Sequence, residues 1–246
     1  MVRDDGYPYR GNVRPASPVR INWDSPQARG LVGTWLAEEG HATYEPVRGV
    51  ADLWTYMILK PDTGGGGKAM GSSGVGCNIA FNPYLPATLF TAGLTFVVDF
   101  TPCVWFGANP GIWRSAATCD GWEFCIFQNT SGRPWIRWKA NNILQPTSGW
   151  SATLGKRVHM VWSIQSLGTG SWVRVYADGV LVHEATHNQN GGPASGIYKL
   201  GYQGSIGYEY VDAEYVEWRF YNSALNDAEC INLYAPESRW DLYAPA

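Results

Sequence analysis

An all-β fold is the class that this sequence predicts, and three observations predict it. The chain is rich in aromatic residues and glycine, with 13 Trp, 14 Tyr and 29 Gly in 246 residues, while charged residues make up only 16%. Many short runs alternate between apolar and polar residues and are separated by turn residues. One stretch near the end carries the signals of a capped helix. This profile is typical of a packed sheet protein and argues against disorder.

The alternating runs predict strands along most of the chain, with turns between them. No internal repeat is visible, so one large domain is the economical interpretation. The predicted strands, in order, are 31–36, 53–59, 77–81, 94–100, 122–127, 135–139, 157–165, 172–177, 180–185, 198–202 and 215–222.

The clearest local signal is the stretch WVRVYADGVLVHEA at 172–185. Asp178 and Gly179 stand between two alternating runs. Asp-Gly favours the type I′ turn of a two-residue hairpin, in which both turn residues have positive φ. The sequence therefore predicts a β-hairpin centred on these two residues.

The last predicted strand has two alternating faces. The face expected in the core holds Val216, Trp218 and Phe220, and the opposite face holds Tyr215, Glu217, Arg219 and Tyr221.

A short helix is predicted directly after this strand. Asn226 is a favourable N-cap, and Glu229 three residues later completes a capping box. Leu225 and Cys230 stand where a hydrophobic staple would join. A last strand that leads into one short helix, packed over the end of a sheet, is therefore expected.

Residues 1–30 differ from the rest of the chain. They contain four prolines and five arginines and show no strand-like alternation. We expect an extended N-terminal arm, a domain over 31–236 and a C-terminal tail over 237–246. A free terminus without a partner is the alternative for the arm. Aromatic residues at Tyr7, Tyr9 and Trp23 favour contact with a partner, since disordered tails usually lack them.

The net charge is −3, so no global basic field would attract nucleic acid. The five cysteines include no CxxC pair, which argues against a zinc ribbon, and buried reduced thiols are expected. The first residues, MVRDDGYPYRG, lack the apolar region of a signal peptide, and no apolar run predicts a membrane span. We expect synthesis in a reducing cytoplasm.

The stretch EWRFYNSALNDAECINLY at 217–234 combines a strand, an N-cap and a short helix. It resembles the closing strand and helix of the family of concanavalin A-like, laminin-G-like jelly-roll domains. Four earlier stretches resemble its other landmarks in the same order, at 29–40, 77–81, 94–100 and 157–182. The resemblance implies a two-sheet antiparallel jelly-roll sandwich over roughly 29–236. That fold serves lectins, glycosidases, adhesion modules and viral structural proteins.

A narrower resemblance lies at the front, where RPASPVRINWDSPQARGLVGTWL at 14–36 is similar to a preamble of jelly-roll proteins of tailed bacteriophages. It implies a non-enzymatic virion protein, made in the host cytoplasm, that decorates or cements the capsid. The expected partners are the major capsid protein or other virion subunits, and identical copies, with a trimer as one form. The arm residues expected to bind the partner are Tyr7, Tyr9, Arg10, Arg14, Arg20 and Trp23.

Glycan binding is the main alternative function. Tryptophans in the middle of the chain could stack on sugar rings of a host-surface glycan. The candidate residues are Trp113, Trp122, Trp135 and Arg137, where Trp135 and Arg137 are predicted to share one face of a strand. Ordinary packing in the core is the competing interpretation for each tryptophan.

An enzyme is the third alternative, and two motifs bear on it. HEATH at 183–187 matches the zincin pattern, but that pattern requires a helix. On the predicted strand the two histidines would lie about 13 Å apart, too far to share one zinc ion. The run EYVDAEYVE at 209–217 resembles the carboxylate strand of concanavalin-like glucanases, where paired carboxylates cleave glycosides. Only Asp212 and Glu214 have the required step, so no catalytic residue is predicted.

A structural calcium ion is the one cofactor that the sequence leaves open. Calcium requires clustered oxygen ligands. The candidate ligands in predicted loops and turns are Asp120, Asn129, Asp178 and Asn188.

Overall fold

The computed structural model describes residues 19–36, 53–55, 58–61, 68–71, 79–85, 91–105, 111–115, 122–127, 133–138, 142–144, 150, 152–167, 170–187, 196–200, 202–203 and 209–245. Burial and side-chain contacts are given for residues 20–34, 36, 91–102, 150, 152–167, 170–186 and 214–244, and the backbone course for the others.

The described residues form strands, one α-helix and one short 3-10 helix. The helices are α1 (Asp227–Asn232) and the 3-10 turn Pro26–Ala28. The strands are β1 (Val19–Ile21), β2 (Leu31–Leu36), β3 (Leu53–Thr55), β4 (Ile58–Pro61), β5 (Lys68–Gly71), β6 (Ile79–Leu85), β7 (Gly93–Trp105), β8 (Gly111–Ser115), β9 (Trp122–Phe127), β10 (Arg133–Trp138), β11 (Asn142–Leu144), β12 (Val158–Ser166), β13 (Ser171–Ala177), β14 (Val180–His187), β15 (Gly196–Leu200), β16 (Tyr202–Gln203), β17 (Glu209–Tyr221) and β18 (Tyr243–Pro245).

Two antiparallel sheets form a sandwich. The first has seven strands in the order β11-β10-β9-β8-β15-β6-β3. The second has nine strands, with the path β14-β13-β12-β7-β17-β5-β4, while β2 and β16 also pair with β17. Some neighbours are consecutive in the chain, such as β12, β13 and β14, whereas others, such as β7 and β17, are far apart in sequence. The predicted all-β sandwich with one short C-terminal helix is confirmed.

The predicted hairpin joins β13 and β14. Asp178 has φ of 51° and Gly179 has φ of 75°, as a type I′ turn requires. A side chain at Gly179 would also approach Tyr234 Cδ1 to 2.9 Å, so glycine is needed there for space as well. From this turn β13 pairs with β14 from Ala177 to Ser171, with a shift of register between Tyr176 and Val175.

Aromatic side chains fill the inner face of the nine-stranded sheet. Phe96 packs between Trp162 and Phe220, with ring centroids 5.7 and 5.4 Å away. Trp218 meets Phe220 edge-on at 4.9 Å, and all four rings are buried. Aromatic pairs at these distances add to the free energy gained by burying apolar area. The core predicted from Trp218 and Phe220 is therefore present.

The opposite face of the nine-stranded sheet, here called the outer face, is also covered. The cover consists of α1 and the segment 233–245, which buries Trp240, Leu242 and Tyr243 against the sheet. Asn226 accepts the Glu229 backbone N–H at 3.0 Å, and the Glu229 carboxylate accepts the Asn226 N–H at 2.8 Å. The capping box predicted from sequence is therefore present, and Leu225 and Cys230 are buried beneath the helix as the predicted staple requires.

The N-terminal segment 19–30 is part of this cover, which corrects the predicted boundary of the arm at residue 30. β1 pairs with β18, with Val19 opposite Pro245 and Ile21 opposite Tyr243. Ile21 is buried in the same cluster as Trp240. The predicted start of a C-terminal tail at residue 237 is also wrong, because Trp240, Leu242 and Tyr243 are buried in the same cluster. Residues 1–18 lie outside the described residues.

A β-bulge in β17 changes the predicted faces of that strand. Tyr215 lies opposite Phe100, and Glu217 lies opposite Asp99, so Val216 is an extra residue. Phe100 and Asp99 are on opposite faces of β7, and the Tyr215 ring stacks on Phe100 at 5.9 Å. Tyr215 therefore joins the inner face, instead of sharing a face with Glu217 as the sequence alternation predicted.

Candidate functional site

The seven-stranded sheet carries the candidate tryptophans, and its register sorts them onto two faces. Trp122 of β9 lies opposite Trp138 of β10, and Trp113 of β8 lies opposite Phe124. Paired residues share a face, as do residues two apart in a strand. Positions 113, 122, 124 and 138 therefore lie on one face. All four of these residues are aromatic, which is the composition expected of a sheet face that packs against another sheet.

The other face of the same sheet is charged. A row of directly paired residues runs across four neighbouring strands, and it consists of Lys199 of β15, Arg114 of β8, Glu123 of β9 and Arg137 of β10. Trp135 lies on the same face, two residues before Arg137, opposite Cys125. The register thus places Trp135 and Arg137 on the opposite face of the sheet from Trp113 and Trp122. We call the four directly paired residues the charged row.

Four residues of this face had escaped the sequence interpretation: Lys199, Arg114, Glu123 and Trp54. Lys199 pairs with Arg114 and Arg114 with Glu123, and Trp54 of β3 lies in the same row beyond Ala80. Each stands in a short strand. The alternation within each run gave its face, but only the sheet order brings the residues side by side.

A group of buried charged residues lies on the outer face of the nine-stranded sheet, under its cover. Arg157 donates to Asp99 from Nε at 2.8 Å and from Nη2 at 2.6 Å, and Arg239 donates to the same carboxylate. Burial of Asp99 would raise its pKa, but the guanidinium groups of Arg239 and Arg157 outweigh burial and hold that pKa well below its usual range. Asp99 thus stays ionised and ties the C-terminal segment to β7.

A second buried pair lies beside the first. Arg219 donates to Glu217 Oε1 at 2.6 Å, and the Tyr243 hydroxyl donates to the same oxygen at 2.6 Å. Burial opposes the charge of Arg219, but the Glu217 carboxylate outweighs it and raises the pKa of Arg219 further. Arg219 also donates to Gln27 Oε1 at 2.6 Å and to the Arg239 carbonyl at 2.9 Å. Three residues of the cover, Gln27, Arg239 and Tyr243, therefore converge on one ion pair.

The helix α1 is held by a third charged group. Arg174 of β13 donates to the Asp227 carboxylate and to the Leu225 carbonyl, the latter at 2.9 Å. The Tyr176 hydroxyl donates to Asp227 at 2.6 Å. That hydrogen bond, with the Arg174 charge, lowers the pKa of Asp227. Burial raises the pKa of the Cys230 thiol below the helix to about 12, so this cysteine is an unreactive core residue.

His159 is buried among these charges. Within the described residues, neither ring nitrogen has a hydrogen-bond partner. The ring lies 5.7 Å from the Tyr234 ring, and Asp178 accepts the His159 backbone N–H at 3.0 Å. Burial first, and the Arg239 charge second, lower the pKa of His159 well below its usual value. The ring is therefore neutral at physiological pH.

These buried groups fasten the cover and have little access to a substrate. The acidic run illustrates this, because Glu217 is fully buried in its ion pair and Glu214 is 4% exposed. For Asp212 the structure gives the register alone, opposite Val104. The buried carboxylates therefore do not form the open pair that glycoside hydrolysis uses.

The HEATH motif lies on β14, as predicted, and has the geometry of a strand. His183 is opposite Val175 in the β13–β14 ladder. Among the residues that the structure describes, no group of three or more His, Cys, Asp or Glu could hold a metal ion. Of the candidate calcium ligands, Asp178 is in the hairpin turn, whereas Asp120, Asn129 and Asn188 lie outside the described residues.

The structure describes two of the six predicted arm residues. Arg20 is in β1 and is exposed, and Trp23 is 55% exposed in the turn that follows. Tyr7, Tyr9, Arg10 and Arg14 lie outside the described residues. In the described part of the chain, no helix has both the length and the apolar character needed to cross a membrane.

Comparison with known proteins agrees with this architecture. The Laminin_G_3 family, described as the concanavalin A-like lectin/glucanases superfamily, matches residues 84–230, more than half of the chain. The chain belongs to this superfamily. The match covers β7 to β17 and the start of α1, so strands of both sheets of this concanavalin A-like domain are included. No curated protein sequence matches the chain.

Solved structures with a similar fold include domain 4 of AbnA, a GH43 extracellular arabinanase from Geobacillus stearothermophilus, in complex with arabinotriose. It is 15% identical, with a TM-score of 0.64 over 83% of this chain and 98% of that domain. The Trypanosoma rangeli sialidase with the inhibitor DANA is 16% identical, with a TM-score of 0.59 over 83% of this chain and 32% of that protein.

The binding domain of Paraclostridial Mosquitocidal Protein 1 is also similar. It is 14% identical, with a TM-score of 0.61 over 83% of this chain and 52% of that domain. At these identities the likeness establishes the fold alone.

Proposed function

We propose that this concanavalin A-like domain is a non-enzymatic glycan-binding module, and that it binds sugar through the charged face of its seven-stranded sheet. The observation that carries the proposal is the register of that sheet, which places Trp135 on one face with Arg137, Arg114 and Lys199. A tryptophan offers a flat apolar surface for a sugar ring, and arginine offers several hydrogen-bond donors for its oxygens.

The described carboxylates support a binding role over catalysis. Glu217 is fully buried in its ion pair with Arg219, and Glu214 is almost fully buried. The solved arabinanase domain with bound arabinotriose is a precedent for sugar binding on this fold, in a domain of almost the same extent. Release of reducing sugar from β-glucans would contradict the non-enzymatic part of the proposal.

Tryptophan substitutions test which face binds. Trp135→Ala should abolish binding on a glycan array and leave the melting temperature nearly unchanged. Trp122→Ala should instead lower the free energy of unfolding by about 3–5 kcal/mol, as truncation of a core tryptophan does. Ile231→Ala, on the exposed side of α1, is the control and should change neither property. Unchanged binding by Trp135→Ala would contradict the proposed face.

A second proposal concerns where the module works. We propose attachment to a bacteriophage particle through the N-terminal region, because Trp23 is 55% exposed beside the exposed Arg20, at the point where residues 1–18 join the domain. Exposed tryptophan and arginine are frequent anchors of protein interfaces. The expected partners remain the major capsid protein or neighbouring virion subunits, and copies of the module itself.

The deletion that tests this attachment ends at residue 18, because β1 begins at Val19 and is needed for the fold. The deletion and Trp23→Ala should both fold, and both should reduce the number of copies that sediment with purified particles. Ile231→Ala should retain full occupancy. Equal occupancy for all variants would contradict attachment through this region.

A further inference from the structure

The charge of the row on the seven-stranded sheet indicates the chemistry of its ligand. The row contains three cations, Lys199, Arg114 and Arg137, and one carboxylate, Glu123. The chain as a whole has a net charge of −3. The row therefore concentrates cations in one place on a chain whose net charge is negative, and solubility does not require such a concentration.

The register places two residues of like charge opposite each other within the row. Lys199 is directly opposite Arg114, and like charges at directly opposed positions destabilise a sheet. Glu123 lies between Arg114 and Arg137, so its single charge is shared by two cations. Lys199 therefore has a cation as one cross-strand neighbour and Ala80 as the other. An anion that bridges Lys199 and Arg114 would relieve this repulsion.

Aromatic residues accompany the row at both sides. Trp135 lies next to Arg137 on β10, between Arg133 and Arg137, and Trp54 lies beyond Ala80 on β3. Neighbouring strands are about 4.8 Å apart, so the row from Lys199 to Arg137 extends about 14 Å across the sheet. An extended chain with regularly spaced negative groups matches this spacing better than a single small anion does.

We propose that the charged row binds an anionic polysaccharide whose sugar rings carry carboxylate or sulfate groups. Arg114, Lys199 and Arg137 would bind the negative groups, and Trp135 would bind the face of a sugar ring. This inference rests on the proposed glycan-binding function and adds the class of sugar. Arginine suits this task because its planar guanidinium can bind both oxygens of a carboxylate or sulfate.

Titration calorimetry with matched sugars tests the proposal. Oligogalacturonate and its methyl ester share one backbone and differ in charge, and a heparin oligosaccharide supplies sulfate. At low salt the intact chain should bind an acidic sugar at least tenfold more tightly than the ester. Higher salt should weaken that binding, because screening reduces interactions between exposed charges.

Substitutions localise the effect. Arg114→Gln and Arg137→Gln should each weaken binding of the acidic sugar about tenfold, with an unchanged melting temperature. Lys156→Gln, which removes an exposed cation from a turn outside this sheet, should have no effect. Trp135→Ala should weaken binding of the acidic sugar and of the ester together.

The possible outcomes distinguish a failure of the anionic sugar class from a failure of glycan binding itself. Equal affinity for oligogalacturonate and its ester, with no affinity for heparin, would overturn the anionic class and leave glycan binding in place. Binding that Lys156→Gln reduces as strongly as Arg114→Gln would also overturn it, since a general charge effect would then be responsible. No binding to any sugar on a broad array would overturn the proposed function itself.

Discussion

Glu217 is a key residue of the covered face, because one of its oxygens accepts hydrogen bonds from two buried groups that come from different parts of the fold. Arg219 and Tyr243 both donate to Oε1 at 2.6 Å, and Tyr243 is also 2.7 Å from the Thr34 hydroxyl. The ion pair has no exposed surface. Charges in such surroundings are costly to leave unpaired.

Glu217→Gln should therefore lower the free energy of unfolding by about 3 kcal/mol, because it leaves the Arg219 charge buried without its carboxylate. Urea unfolding, followed by tryptophan fluorescence, measures the change. Glu237→Gln removes an exposed carboxylate from the same C-terminal segment and should change stability by no more than about 0.5 kcal/mol. Equal stability of the two variants would show that the ion pair contributes nothing to the fold.

His159 should make the fold sensitive to mild acid. Its pKa is lowered in the folded chain, so between that value and its ordinary value of 6.5 the unfolded chain binds a proton that the folded chain does not. The free energy of unfolding then falls as the pH drops below about 6.5, by up to about 1.4 kcal/mol per pH unit. The charged groups around the ring are Asp99, Arg157, Arg219 and Arg239, with Asp178 at the adjacent turn.

His159→Phe removes this titration and should flatten the dependence of stability on pH between 6.5 and 5. Stability against urea at intervals of half a pH unit gives both slopes. Above pH 8 the histidine is neutral in both states, so the two curves should run parallel there. Asp99 makes stability depend on pH only under more acidic conditions, because its pKa in the folded chain lies below its ordinary value. Slopes that agree from pH 8 to 5 would contradict this role of His159.

At the scale of elements, α1 is stabilised both by its own capping sequence and by the buried contacts beneath it. The capping box is local, so four residues were enough to predict it, and it is present with both hydrogen bonds. The hairpin at 178–179 was predictable for the same reason. The bulge at Val216 was not, because a bulge depends on which residues of β7 face the strand. The register is a property of two strands, and one alternating run cannot contain it.

Asn226→Ala should destabilise the protein by about 1 kcal/mol, since it removes the side-chain acceptor for the Glu229 N–H. Asn232→Ala makes the same change at an exposed position at the end of the helix and should be neutral or slightly stabilising. Thermal unfolding of both variants gives the comparison. Equal losses of stability in the two variants would contradict the capping role of Asn226.

At the scale of the whole molecule, the covered outer face is the feature that the sequence did not reveal. The aromatic composition, the turn signals and the closing motif were enough for a two-sheet sandwich with a final helix. They did not show that Ile21 and Tyr243 lie opposite one another, because two three-residue strands carry almost no periodic signal. The charged row was predicted only in part for a related reason, since its members come from four strands.

Truncation after residue 236 should abolish the cooperative fold. It removes Trp240, Leu242 and Tyr243 from the core, each worth about 1.5–3 kcal/mol of burial, and it leaves Asp99 without Arg239. Those losses are comparable with the whole stability of a typical domain, about 5–15 kcal/mol. A sharp unfolding transition in the truncated chain, measured by calorimetry, would show that the segment is a dispensable tail. Truncation after Pro245 is the control and should leave the transition unchanged.

The pairing of β1 with β18 also sets the order in which the protein can be built. The side chain of Asn22 donates to the carbonyl of Asp241, 219 residues later. A ribosome that adds roughly 5–20 residues per second needs about 10–45 s to make that interval. During this time segment 19–30 has no partner, and it can dock only when β17 and the segment 233–245 have emerged. The domain therefore completes its fold only after residues 233–245 have been made, and until then segment 19–30 lacks the strand with which it pairs.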